Sequence, residues 1–97
     1  MAQYEFIACY MLANRSGGTL YVGVTSDLVR RMEQHFAGMG SVFAARYGCR
    51  ALVWFERFPT IADAIAMEKR LKRYRRDWKI NVIERSNPEW RDLSIEL

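Results

Sequence analysis

The sequence predicts an α+β fold in the order β-β-α-β-α-α. Three observations carry this reading. Two apolar, aromatic-bearing runs flank a short turn near the start, which implies an antiparallel hairpin. A third such run, Ala51-Leu52-Val53-Trp54-Phe55, stands alone in mid-chain. Helix-start signals followed by apolar stripes surround that third run. With 97 residues the chain suits one domain, residues 1–97, burying one modest core.

The first strand is read over 6–13, where no helix breaker interrupts aromatic and aliphatic residues. Asn14-Arg15-Ser16-Gly17-Gly18 is a turn, and Thr19 to Val24 the second strand. A turn centred near Ser16 sets Tyr10 opposite Tyr21. Side chains alternate between faces. Ile7, Cys9 and Met11 then join Leu20, Val22 and Val24 on one wholly apolar face, which should meet the core. Ala8, Tyr10, Tyr21 and Gly23 share the other, less apolar face. Thr25-Ser26-Asp27 starts a helix with a hydroxyl cap and an early acid. It runs to about Ala37, with Leu28, Met32 and Phe36 as an apolar stripe and Asp27, Arg31 and His35 beside it. Residues 41–50 read mostly as loop. The third strand spans 51–58, and its continuous apolar start suggests the sheet centre. Thr60 caps a second helix ending near Tyr74. A third spans about 77–84 and is broken by Asn87-Pro88. Trp90, Leu93 and Ile95 should pack back on the body.

Net charge is +4 and the sequence pI about 9.4, which makes a polyanion a plausible partner without demanding one. Cys9 and Cys49 lie far apart without ligand-like neighbours, so zinc is not expected, and Cys9 reads as a small core residue. Residues 1–5 show no secretory pattern, and no run reaches the ~18 apolar residues of a membrane span. The expected location is cytoplasmic, with no membrane partner.

Glu68 is the most informative single residue. It sits on the apolar stripe Ile61, Ala64, Ile65 and Leu71 of the second helix. A carboxylate there is costly unless paired. A salt bridge to a nearby arginine is the simpler explanation. A hard-metal ligand is the other, since carboxylate oxygen suits Mg²⁺ or Mn²⁺. Arg31 and His35 are four apart on one helix face, which alone describes a solvated face. Tyr10 and Tyr21 alone describe cross-strand packing. The basic run is stronger. Lys69, Arg70, Lys72, Arg73, Arg75, Arg76 and Lys79 are opposed within their span only by Asp77. A nearly single-signed run suits phosphate better than it suits a mixed solvated face. Arg46, Arg50 and Arg57 can add to it. Tyr74 and Trp78 interleave with the charges and can stack on bases, although core packing is the simpler reading, above all for Trp78.

Taken in order, these pieces resemble the GIY-YIG nuclease superfamily, and most closely its small stand-alone bacterial members. Tyr21-Val22-Gly23 matches the second name-giving triplet well, whereas Cys9-Tyr10-Met11 keeps only the central tyrosine of the first. Thr25-Ser26-Asp27-Leu28-Val29-Arg30-Arg31, then His35, resemble the family helix. Arg46-Tyr47-Gly48, Ala64-Ile65-Ala66-Met67-Glu68-Lys69 and Asn87-Pro88-Glu89-Trp90-Arg91-Asp92-Leu93 follow. The resemblance implies a three-stranded antiparallel sheet flanked by helices. It also implies roles: Tyr10 and Tyr21 as active-site tyrosines, Arg31 and His35 as catalytic residues, and Glu68 as ligand of one divalent metal, Mg²⁺ or Mn²⁺. Tyr21 is the first choice for activating water, with Tyr10 orienting it and Arg31 stabilising charge on the phosphate. Asn81 lies near an asparagine that some members carry, and its role is not carried over.

The function expected is a metal-dependent endonuclease hydrolysing DNA phosphodiester bonds, with structure-selective cleavage in repair or recombination as one form. Lys69, Lys72, Arg73, Arg75, Arg76 and Lys79 are the expected nucleic-acid contacts. RNA is an open alternative to DNA. The runner-up is a non-catalytic nucleic-acid-binding module on the same fold. A third reading is a homodimer, or an accessory to a larger nuclease assembly.

Overall fold

The structure, a computed structural model, describes residues 6–97. Residues 1–5, read above for a leader, lie outside the described residues. Strands β1 (Ala8–Ala13) and β2 (Leu20–Thr25) form the antiparallel hairpin. Gly18 N donates to Arg15 O at 2.9 Å, closing a turn in which Gly17 takes a φ of 67°. Only glycine adopts that conformation without strain, and it centres the turn between Ser16 and Gly17. Tyr10 therefore faces Gly23, and Tyr21 faces Leu12. The expected Tyr10–Tyr21 pairing is off by two residues. A slip of two preserves the faces, so both tyrosines still share one.

Strand β3 (Ala51–Arg57) pairs antiparallel with the other edge of β1, giving a three-stranded sheet in the order β2-β1-β3. The strand at the centre is thus β1 and not β3. All six residues of β1 are buried, and none is charged. β3 ends in exposed Glu56 and Arg57, which suit an edge. Met11 faces Trp54 while Leu12 faces Leu52, leaving Val53 as the extra residue of a bulge.

Both faces of the sheet are covered. Helices α1 (Leu28–Phe36) and α2 (Val42–Tyr47) lie on the tyrosine face, where Leu28, Met32 and Ala44 pack with Tyr10, Leu12 and Leu52. Helices α3 (Ile61–Arg73) and α4 (Arg76–Ser86) cover the other, where Leu71 and Ile83 meet Cys9, Met11 and Val22. The face expected to meet the core does so, and the less apolar face covers a second core.

The caps explain the helix boundaries. Asp27, and not a hydroxyl, caps α1 by accepting from Arg30 N, while Thr25 Oγ1 accepts from Asp27 N. Thr60 caps α3 through Asp63 N, as read. Within the segment expected to be loop, Ser41 caps α2, and Gly48, at a φ of 68°, ends it. Ala44 is the buried residue of α2, so that helix shows no apolar stripe. In α1, Leu28 and Met32 are buried but Phe36 is exposed.

The chain after α4 returns along β3. The buried Asn87 donates from Nδ2 to Val53 O at 3.0 Å, satisfying the bulge carbonyl. Leu52 N donates to Asp92 Oδ1 at 3.1 Å. Trp90 is buried, and its Nε1 donates to Glu84 Oε2 at 2.7 Å. Leu93 packs on the tyrosine-side core, but Ile95 stays 82% exposed, contrary to expectation. Among the described residues no helix is long and apolar enough to cross a membrane.

Candidate active site

Tyr10 and Tyr21 project from neighbouring strands on one face, with ring centroids 6.2 Å apart. His35, in the last turn of α1, lies against both rings, at 5.7 Å from Tyr10 and 5.6 Å from Tyr21. A hydrogen bond of 2.9 Å joins Tyr10 Oη to His35 Nε2. Tyr10 and His35 are both buried, whereas Tyr21 is half-buried. The face carrying His35 is therefore not a solvated one.

Two glycines make room for this pair. A Cβ on Gly23 would lie 2.5 Å from Cζ and Oη of Tyr10, so the phenol ring crosses directly over Gly23. A Cβ on Gly40 would lie 2.6 Å from Nδ1 of His35. Neither ring can swing away cheaply, because both are packed in the interior. Gly40 was not singled out in the sequence. A glycine just past a helix end reads as punctuation, and nothing local shows a histidine ring lying on it.

Burial, more than charge, keeps the pair neutral. Burial, reinforced by the nearby Tyr21, holds the Tyr10 phenol well above its usual range, while the Arg31 guanidinium pulls the other way. Burial, then Arg31, pushes His35 below its ordinary 6.5. Arg31 thus acts on both groups and is itself partly exposed. The structure brings Tyr10, Tyr21, Arg31 and His35 into one cluster.

Glu68 reaches the region from the other side of the sheet. Helix α3 packs across β1 and β2, and the Glu68 charge acts on Cys9, whose thiol is pushed up to about 12 by burial first and by Glu68 second. Cys9 is therefore an inert thiol in the core. Glu68 Oε2 lies 3.2 Å from Lys72 Nζ, one turn along the helix. Lys72 also lines an open pocket of about 270 Å³ with Leu20, Tyr21, Val22, Phe43 and Lys79. Lys72 is thus the residue that stands both beside Glu68 and in the pocket of Tyr21. Among the described residues no cluster of three or more His, Cys, Asp or Glu is placed to hold a metal. One carboxylate at a solvent-reachable edge fits a hydrated hard cation completed by water and substrate oxygens, not a protein cage.

The basic run is divided by the two helices and the corner between them. Lys72 and Lys79 face the Tyr21 pocket. Arg73 and Arg75 flank Tyr74 and Trp78, and Arg75 pairs with Asp77 at 3.5 Å. Arg70 lies beside Asp63 and Met67. Arg76 donates from Nη2 to Gly17 O at 2.6 Å and Gly18 O at 2.5 Å, tying α4 to the hairpin turn. Lys69 is exposed. Arg46 lies over the Tyr47 ring at 5.7 Å, and Arg57 over Phe6 at 4.2 Å. Tyr74 packs against the core, whereas Trp78, the aromatic expected there, is 55% exposed and not a core residue. Asn81 lines a separate pocket of about 400 Å³ with Trp54 and Trp78.

Comparison with known proteins identifies the family. The GIY-YIG catalytic domain family matches residues 6–81. The chain is 31% identical over 83 residues to a UPF0213 protein of Aeromonas salmonicida, covering 86% of this chain and 60% of that relative. It is 36% identical over 84 residues to a UPF0213 protein of Haloquadratum walsbyi, covering 87% of this chain and 91% of the relative. A relative from Nitratidesulfovibrio vulgaris is 36% identical over 63 residues, or 65% of this chain and 57% of that one. The chain thus spans less than two thirds of the Aeromonas and Nitratidesulfovibrio relatives. No solved structure matches. The cluster at the sheet edge and the match across residues 6–81 lead to one conclusion: the chain belongs to the GIY-YIG catalytic domain family, a family of nucleases.

Proposed function

We propose that this chain is a divalent-metal-dependent endonuclease that hydrolyses DNA phosphodiester bonds at the edge formed by β2. The observation that carries this is the half-buried Tyr21, which opens on a pocket lined by Lys72 and Lys79 and backs onto the neutral Tyr10–His35 pair. Such a place holds a phosphate against a phenol whose neighbours cannot drift.

The roles divide by burial and charge. Lys72 and Lys79 attract and seat the phosphates. Arg31 stabilises the charge that grows on the phosphate oxygens as water adds to phosphorus. Tyr21, after its phenol proton has passed to bulk water, takes the proton from the attacking water; the ester bond to the leaving oxygen breaks as the new P–O bond forms, and the leaving oxygen takes a proton from solvent. Tyr10, fully buried, stays protonated because burial opposes its ionisation, and it acts through its hydrogen bond to His35 and its packing on Tyr21, not on the water or phosphate directly as the sequence suggests. His35, neutral, fixes the Tyr10 hydroxyl and packs edge-on against Tyr21. Glu68 would hold Mg²⁺ or Mn²⁺, which supplies neutralisation of phosphate charge and support for the leaving oxygen.

Plasmid nicking by the purified chain tests the proposal. Cleavage is expected with Mg²⁺ or Mn²⁺ and not with EDTA, and Tyr21→Phe should lose about 10²–10⁴-fold in rate. DNA binding that ignores divalent metal, without cleavage of any DNA form, would instead make the chain a binding module.

A further inference from the structure

Helix α2 leaves an aromatic surface that the chemistry above does not use. Tyr21 and Phe43 stack at 6.2 Å with planes 28° apart, and Phe43 and Tyr47 follow at 4.7 Å. The rings form a continuous series from the proposed reacting phenol to the surface. Phe43 is 44% and Tyr47 47% exposed, so neither serves chiefly as core. Only Ala44 anchors the helix. Cations accompany the rings: Arg46 lies over Tyr47, and Lys72 and Lys79 share the pocket with Tyr21 and Phe43. Half-exposed aromatic rings combined with phosphate-seating cations match a nucleotide. A protein partner would match the rings but leave the cations without a reason.

We infer that Phe43 and Tyr47 form a stacking platform for an unpaired nucleobase of the strand being cut. The inference rests on the nuclease reading and deepens it by naming the substrate class. A base held in duplex stacking cannot lie on these rings while its phosphate sits at Tyr21. Substrates whose bases are frayed, looped or unpaired at the cut should therefore bind best. Arg46 would take the phosphate next along the strand.

The test uses an oligonucleotide carrying one 2-aminopurine, free or in a full duplex, titrated with the whole chain in EDTA. Fluorescence quenching and anisotropy are followed together. Wild type should quench the probe in the free strand and not in the duplex. Phe43→Leu combined with Tyr47→Leu should abolish the quenching and weaken free-strand binding roughly ten-fold. Phe43→Trp with native Tyr47 should quench as wild type does, which separates stacking from mere folding. Trp78→Leu should leave the quenching intact. Unchanged quenching or affinity in the double leucine variant would overturn the platform. So would a dimer seen by light scattering in wild type and lost in that variant, which would make the patch a self-association face. Aromatic-dependent quenching without cleavage in either Mg²⁺ or Mn²⁺ would support the platform while removing the nuclease reading.

Discussion

Gly23 stands where a side chain would displace the ring of Tyr10, with its Cβ position 2.5 Å from the phenol oxygen. Replacing Gly23 with alanine should break the Tyr10–His35 hydrogen bond, because the buried ring has no free volume to enter. Overpacking of this kind costs about 1–3 kcal/mol. Urea denaturation should show that loss, and a variant as stable as wild type would contradict the ring placement. Titration gives a second check. His35 is held below 6.5 in the fold, so as pH falls the unfolded chain takes up its proton first. Stability present above pH 6.5 should then be lost as pH drops below it. His35→Gln should flatten that part of the urea-midpoint profile, and an equally steep profile would argue against a buried neutral imidazole. The residues of this cluster were legible as a set through their resemblance to a family. Their contacts were not, since the closeness of Gly40 to His35 depends on how the chain leaves α1.

Edges and corners decide which elements the sequence displays. The hairpin and the helices α1 and α3 carry their own periodicity or caps, while α4 shows chiefly its end, at Asn87-Pro88. Helix α2 carries caps alone, Ser41 and Gly48, without an apolar stripe, and so reads as loop. The central place of β1 depended on comparing strands. β1 lacks any charge, whereas β3 ends in Glu56 and Arg57. Asn87 looked like a helix breaker. In the fold its amide also serves Val53 O and Arg91 O, while its oxygen accepts from Arg91 N, so it seals the bulged edge of β3. Asn87→Ala should therefore cost about 1–3 kcal/mol by leaving buried groups unpaired. Thermal or urea unfolding measures it, and a loss under about 0.5 kcal/mol, the range of a plain surface change, would contradict the role.

At the scale of the whole molecule, one sheet separates two cores, and the proposed site draws on residues from both sides of it. The tyrosines, Arg31 and His35 belong to the α1 side, and Glu68 to the α3 side. Hydrophobic spacing showed that Glu68 was out of place but not which edge it approached. The basic run likewise became separate groups once α3 and α4 turned at residues 74 and 75. The most direct test of the account is nicking of supercoiled DNA by wild type, Glu68→Ala and Tyr21→Phe, each with Mg²⁺, Mn²⁺ or EDTA and each checked for folding. Wild type should nick only with metal, and both folded variants should lose at least about 10²-fold. Undiminished nicking by folded Glu68→Ala, or nicking by wild type in EDTA, would contradict it.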